Sequence, residues 1–186
     1  MTVTLRDYDL GPRAPQTGGH YELLQHVLTL NPTGLALEFG VGRGESTSMI
    51  AAHMPVIGFD SWLGLPENWR PGFPKGMFAS MPPSIANTDF VDGWYEDTLP
   101  DSLEGVREVG LVHIDCDLYS STATVLAALS KHRILTTGTF VVFDEWHGYD
   151  ECELHEQRAW REFTDDSPIG WRVVGHGHES WSIQIA

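Results

Sequence analysis

Residues 35–51 read LALEFGVGRGESTSMIA. An apolar run closes on the acid Glu38, Gly40, Gly42 and Gly44 follow, and a small-residue stretch comes next. The apolar run has the length and bulk of a buried strand, and the stretch after the glycines reads as a helix. Glycines at alternate positions between them let the chain turn tightly and let a ligand approach bare backbone. Their spacing is GxGxG, which fits poorly to the GxGxxG turn that cradles a pyrophosphate. A carboxylate just upstream also repels a diphosphate, so a cationic or zwitterionic ligand suits this loop better.

The same alternation runs outward from that segment. HYELLQHVLTL (20–30) places Leu23, Leu24, Val27 and Leu28 at helical spacing. VIGFD (56–60), VGLVHID (109–115) and GTFVVFDE (138–145) read as strands. NTDFVDGWYEDTLP (87–100) reads as a short strand and a turn. STATVLAALSKH (121–132), with Val125, Leu126 and Leu129 as its stripe, and ELHEQRAWREFTDD (153–166), with Leu154, Ala159, Trp160 and Phe163, read as helices. WRVVGHG and SWSIQIA, joined by a His/Gly turn, read as an antiparallel hairpin at a sheet edge. Residues 1–18, with Gly11, Pro12, Pro15 and Gly18, read as a loose arm. Residues 62–84, with Pro66, Pro71, Pro74, Pro82 and Pro83, read as a long functional or mobile loop. Strands alternating with helices predict an α/β fold with a mostly parallel sheet, as one domain over 1–186.

Composition narrows the class of function. Seven Trp, eight Phe and five Tyr in 186 residues argue against disorder. A formal charge of −15 argues against nucleic-acid or anionic-membrane partners. Cys116 and Cys152 sit in no metal-binding or redox spacing and read as free thiols. The first residues lack the apolar core of a signal peptide, and no apolar run has membrane-spanning length, so a cytoplasmic protein is expected. Self-association to a homo-oligomer is left open.

Strand-end acids are the chemical signal. Glu38, Asp60, Asp115 and the pair Asp144–Glu145 each close a predicted strand. In a parallel sheet these ends share one rim, where ligands bind. Asp60 lies about 20 residues beyond the glycines, where an acid accepts hydrogen bonds from ribose hydroxyls. A glycine loop, an acid before it and a ribose acid after it fit S-adenosylmethionine better than a nicotinamide dinucleotide.

ALEFGVGRGEST resembles the first motif of class I S-adenosylmethionine-dependent methyltransferases. GFDSWLGLPENW, GWYEDTLP, HIDCDLYSST and VVFDEWHGY, in order between Leu35 and Tyr149, resemble the macrocin/mycinamicin-type sugar O-methyltransferases. The resemblance implies a Rossmann-like methyltransferase fold with an antiparallel C-terminal edge strand. It implies that Glu38, Gly40, Gly42 and Gly44 line the methionine end of the cofactor, with Asp60 and Ser61 at the ribose and Gly93 and Trp94 near the adenine. It further implies Mg²⁺ on Asp115, Asp144 and Glu145, with Asp115 also beside the cofactor. Carboxylates from two adjacent strand ends suit such a hard cation.

The lysine base of catechol methyltransferases is replaced by Leu118, so another base is needed. Asp115, His147 and Lys75 are the candidates, with Asp115 and His147 preferred. His113 reads as a core histidine, and His176 and His178 as turn residues. Ser120 or Ser121 is expected to cap the following helix, and Trp62, Trp69 and Trp146 to wall an acceptor pocket. The expected activity is Mg²⁺-assisted O-methylation of a small-molecule hydroxyl, on a sugar or natural-product-like acceptor. The alternatives are a metal-independent methyltransferase acting on N or another atom, and a non-catalytic cofactor-binding module.

Overall fold

The computed structural model describes residues 14–167 and 169–186. Leu35–Phe39 (β1), Val56–Asp60 (β2), Thr88–Asp92 (β3), Val109–Ile114 (β4) and Phe140–Phe143 (β5) pair in parallel. Trp171–His176 (β6) and Trp181–Ile185 (β7) complete a seven-stranded sheet in the order β3-β2-β1-β4-β5-β7-β6. β7 runs antiparallel to both β5 and β6, so the hairpin inserts its second strand next to the parallel block and leaves β6 at the edge.

The continuous apolar runs of β4 and β5 are explained by burial on both faces, where every residue of these strands is covered. Each face carries its own apolar cluster. His20–Thr29 (α1) and Glu45–Ala51 (α2) cover one face, with Leu23, Leu24, Val27 and Ile50 meeting Ala36, Leu111 and Val142. Tyr95–Ser102 (α3), Tyr119–Lys131 (α4) and Glu156–Asp166 (α5) cover the other, with Leu99, Leu126 and Trp160 packed on Leu37, Val112 and Phe143. Each such aliphatic side chain contributes about 1.5–3 kcal/mol relative to exposure. Cys116 and Cys152 are buried free thiols. Among the described residues, no helix is long and apolar enough to cross a membrane.

Several elements differ from the sequence expectation. The turn expected before residue 100 is the helix α3, which buries only Leu99 and carries Pro100 in its last turn, so it has no apolar stripe to read. α4 begins at Tyr119 after Leu118, and neither Ser120 nor Ser121 caps it; Ser120 Oγ instead donates to Glu67 at 2.6 Å. The helix expected from 153 begins at Glu156, after a 3₁₀ turn over Cys152–Leu154, and this leaves Leu154 exposed instead of on the core stripe.

The described end of the expected loose arm is tied down. Gln16 bridges to His176, Thr17 N donates to His176 O at 2.9 Å, and His178 N donates to Gly18 O at 3.0 Å. The rest of that expectation, residues 1–13, lies outside the described residues. Residues 62–84 contain no helix or strand but fold back on themselves, with Leu65 N donating to Met77 O and Gly76 N to Leu65 O, each at 2.9 Å.

Candidate active site

β1, β2, β4 and β5 all end at one cavity of about 820 Å³. Leaving β1, the chain turns at Gly40, whose φ is 93°. A Cβ there would lie 1.9 Å from the Asp115 carbonyl oxygen, so the loop crosses directly over the end of β4. Gly42 (φ 55°) faces the opposite situation, because a Cβ built on it meets nothing within 4 Å. The first glycine serves the fold, and the second exposes backbone to the cavity. Asp60 fixes this loop: its Oδ2 accepts hydrogen bonds from Val41 N (2.9 Å) and Gly42 N (2.8 Å), and its Oδ1 from Trp62 N (2.7 Å).

Of the residues singled out in the sequence, Gly40, Gly42, Asp60, Ser61, Gly93, Trp94, Asp115, Asp144 and Glu145 line the cavity. Glu38, Gly44 and His147 do not. Glu38 is fully buried, with Oε1 3.0 Å from His113 Nδ1 and Oε2 accepting from the Thr47 hydroxyl. Both carboxylate oxygens are taken by these partners, so Glu38 ties α2 to β4 and is not among the lining residues. His113 is accordingly the satisfied core histidine expected. Gly44 sits at the start of α2 beneath Pro83 and Ile85.

The base candidates are also redistributed. His147 packs against His176 with ring centroids 6.2 Å apart, and burial followed by the His176 charge pushes its pKa down. Its backbone N donates to Glu179 O, which holds residue 147 at the β6–β7 turn and away from the cavity. Lys75 is exposed on the 62–84 loop. Trp62, Trp69 and Trp146 do not wall the cavity either, although Trp94 lines it. Trp62 is buried edge-on to Phe90, Trp69 lies under the Arg70 guanidinium at 4.1 Å, and Trp146 stacks on Trp181 at 4.0 Å within the core. Apolar lining comes from Tyr21, Val41, Leu65 and Phe78 together with Trp94 and Tyr95.

Two features were missed in the sequence. His20, at the first turn of α1, lines the cavity with Nδ1 2.9 Å from Asp144 Oδ2. The hydrogen bond to Asp144 raises its pKa, against the opposing effect of burial. Nothing local marks His20, because its partner lies more than a hundred residues away. Asp117 is the second, and the alternating acids of DCD were its signal.

Carboxylate oxygens of Asp115, Asp117 and Glu145 lie within 4.8 Å of one another, and Asp144 stands outside that trio. Burial, then the neighbouring acids, pushes Asp115 and Glu145 well above the usual carboxylate range. Burial and the Asp144 charge push Asp117 up to about 7, with the Arg70 charge pulling the other way. Behind them Glu156 is also fully buried. Its Oε1 accepts from Cys116 N at 3.2 Å, and its Oε2 has no partner; Glu145 Oε2 is likewise buried without one.

Residues 84–172 match the family model of the macrocin-O-methyltransferases (TylF). A tetracenomycin 4'-O-methyltransferase of Streptomyces olivaceus, named for an 8-demethyl-8-(2,3-dimethoxy-alpha-L-rhamnosyl)-tetracenomycin-C substrate, is 35% identical over 72 residues. That alignment takes in 38% of this chain and 26% of the relative, so about a quarter of the curated relative is matched. Among solved structures, the calicheamicin methyltransferase CalS11 aligns at TM-score 0.65 and 23% identity, over 87% of this chain and 76% of its own. The O-methyltransferase NovP aligns at TM-score 0.67 and 20% identity, over 87% and 75%. A Bacillus cereus O-methyltransferase in complex with SAH aligns at TM-score 0.58 and 14% identity, over 88% and 79%. Sheet order, glycine loop and matched segment agree: the chain has the class I methyltransferase fold, and its residues 84–172 match the macrocin-O-methyltransferase family.

Proposed function

We propose that this chain transfers a methyl group from S-adenosylmethionine to a hydroxyl of a sugar-bearing small molecule, with Mg²⁺ assistance. The observation that carries the reading is one cavity lined both by glycine backbone and by a carboxylate trio. The donor fits this chain: Gly42 opens a cradle that a Cβ would begin to fill, and Asp60 holds that loop while lining the same cavity. The cation fits as well. Asp115 and Glu145 bring carboxylates from two strand ends, and Glu145 Oε2 is a buried oxygen that lacks a partner. Mg²⁺ held there would supply positive charge beside the acceptor hydroxyl and lower its pKa.

The chain's own residues account for the proton. His20 Nδ1 is held by Asp144, which leaves Nε2 to take the proton of the hydroxyl. As the new C–O bond forms, the methyl–sulfur bond breaks and its electron pair stays on sulfur. The glycine loop and the His20 side set the two reactants for this in-line exchange, and their positioning supplies much of the rate. Tyr21, Leu65 and Phe78 offer apolar faces to a sugar ring. The relative that acts on a rhamnosyl-tetracenomycin supports a deoxysugar of a glycosylated natural product as acceptor.

The test is calorimetric titration with S-adenosylhomocysteine, with and without Mg²⁺, followed by labelled-methyl transfer to a rhamnosylated aromatic polyketide. Micromolar binding is expected. Absence of binding in both conditions overturns the reading.

A further inference from the structure

The loop over 62–84 buries part of its apolar content and leaves the rest exposed beside the cavity. From that division we infer that the acceptor's sugar enters the cavity while its apolar aglycone rests outside on Leu63, Phe78 and Met81, so that glycosyl transfer precedes methylation. This inference rests on the reading of the cavity as a methyl-transfer site for a sugar hydroxyl, and the test below separates the two.

Placement comes first. Among the described residues six large apolar side chains are exposed, and three of them, Leu63 (63%), Phe78 (50%) and Met81 (84%), belong to this loop. The loop does bury apolar groups elsewhere, since Trp62 and Leu65 are each 6% exposed. Ser80 N donates to Trp62 O at 3.2 Å and Leu65 N to Met77 O at 2.9 Å, so residues 62–65 and 77–80 lie side by side. Ser80 Oγ donates to Gly42 O at 2.9 Å, which ties these paired segments to the glycine loop. Ser61, Gly64, Leu65, Phe78 and Ala79 line the cavity, so lining residues flank Leu63 in the chain and Met81 follows them by two positions.

Phe78 is a separate observation. Its φ is 68°, a left-handed conformation that a bulky side chain adopts only at a cost. The residue lines the cavity yet stays half exposed, so burial in the free protein does little to offset that cost. Exposed apolar side chains grouped beside a ligand cavity mark a surface that a ligand covers. Charge then selects the kind of ligand. Seven Asp and Glu side chains line the cavity, and Arg43 is the only Lys or Arg that does so among the described residues. A nucleoside diphosphate on the sugar would add negative charge to that lining and set phosphates against Leu63 and Met81. An uncharged apolar aglycone meets neither penalty, and covering these side chains favours its binding.

Calorimetric titration of the full chain, saturated with S-adenosylhomocysteine, compares three probes: a rhamnosylated aromatic polyketide, methyl α-L-rhamnoside and dTDP-rhamnose. The polyketide glycoside should bind at least about 100-fold more tightly than either of the others. Leu63→Ser combined with Met81→Ser should weaken it about tenfold or more and shrink its advantage over methyl rhamnoside by the same factor. In turnover the loss should fall on KM more than on kcat. Equal glycoside affinity in the double variant and the wild type, tighter binding of dTDP-rhamnose, or a wild type that binds no glycoside at millimolar concentration would overturn the inference. Sedimentation supplies a further arm: a dimer that the double substitution dissociates, with glycoside affinity unchanged, would make this surface an interface between copies and overturn it too. Both side chains are exposed, so the double variant should fold, and circular dichroism checks this; Met81→Ser alone, at the most exposed position, gives the same reading at smaller size. S-adenosylhomocysteine titration of the wild type stands apart: its failure removes the methyltransferase reading, while the glycoside series, run without it, still decides the aglycone surface.

Discussion

Two glycines of the loop after β1 do different work, and single substitutions separate them. Gly40→Ala places a methyl group 1.9 Å from a backbone oxygen of Asp115, and nothing flexible is there to yield. It should cost several kcal/mol and lower the melting temperature by about 2–4 °C for each kcal/mol lost. Gly42→Ala meets open space, so its cost is the positive φ alone, about 1–2 kcal/mol. Its added methyl occupies the cradle, and S-adenosylhomocysteine affinity should fall at least about tenfold, the equivalent of 1.4 kcal/mol. Calorimetry and thermal melts on the two variants read both effects, and equal affinity in Gly42→Ala and wild type would mean that the ligand does not touch this backbone. His20 is the other decisive residue. His20→Ala should reduce kcat about 10²–10⁴-fold and leave S-adenosylhomocysteine affinity within a small factor. Because the pKa of His20 is raised above the usual 6.5, the acid limb of the wild-type rate profile should have its midpoint above that value. The sign follows from the role: the base works when neutral, and a higher pKa keeps the ring protonated to higher pH.

The long loop over 62–84 behaves as an element although it contains no regular structure. Arg70 holds it by stacking on Trp69 and Tyr149 and by donating to Glu179, so three separate segments meet on one guanidinium. Arg70→Ala should cost about 1–2 kcal/mol. Its local signature should be faster amide exchange and earlier proteolysis within 62–84, with the central strands unaffected. The same loop carries Leu65 and Phe78 to the cavity wall, so a rise in KM for the acceptor should exceed any change in kcat. Uniform exchange across the chain would show that Arg70 supports the whole fold and not this loop. The aromatic stack of Trp146 on Trp181 shows how an element is misread from its neighbours in sequence. Trp146 follows the Asp144–Glu145 pair, yet β7 inserts beside β5 and brings Trp181 within stacking distance. Trp146→Ala should therefore cost about 3–5 kcal/mol, as a core deletion does, and be read first in stability.

Across the whole molecule the dominant fact is a charge of −15, with Asp115, Asp117, Asp144, Glu145 and Glu156 crowded at one rim of the sheet. Relieving that repulsion should stabilise the fold. Mg²⁺ at about 100 times its Kd should add about 2.7 kcal/mol, which raises the melting temperature by about 5–10 °C. Sodium chloride at matched ionic strength should give less, because screening acts weakly on buried charges. Differential scanning calorimetry in the two salts distinguishes specific binding from screening, and equal shifts would argue against a bound cation.

What the sequence determined by itself is the set of local patterns. LALEF, VIGFD and VGLVHI announce themselves as strands because burial in the centre of the sheet demands mostly apolar runs, and each was legible to within a residue. The glycine spacing and the strand-end acids were legible for the same reason: strand direction alone places them on one rim. Pairings across long stretches of chain were decided only by the tertiary structure. His20 meets Asp144, Glu38 turns inward to His113 and Thr47, Asp117 joins Asp115 and Glu145, and His147 is carried away to the β6–β7 turn. Period and propensity act over a few residues, whereas these contacts depend on which helix end lies against which strand end. The burial of apolar faces fixes that arrangement, and the polar side chains take the partners it leaves them.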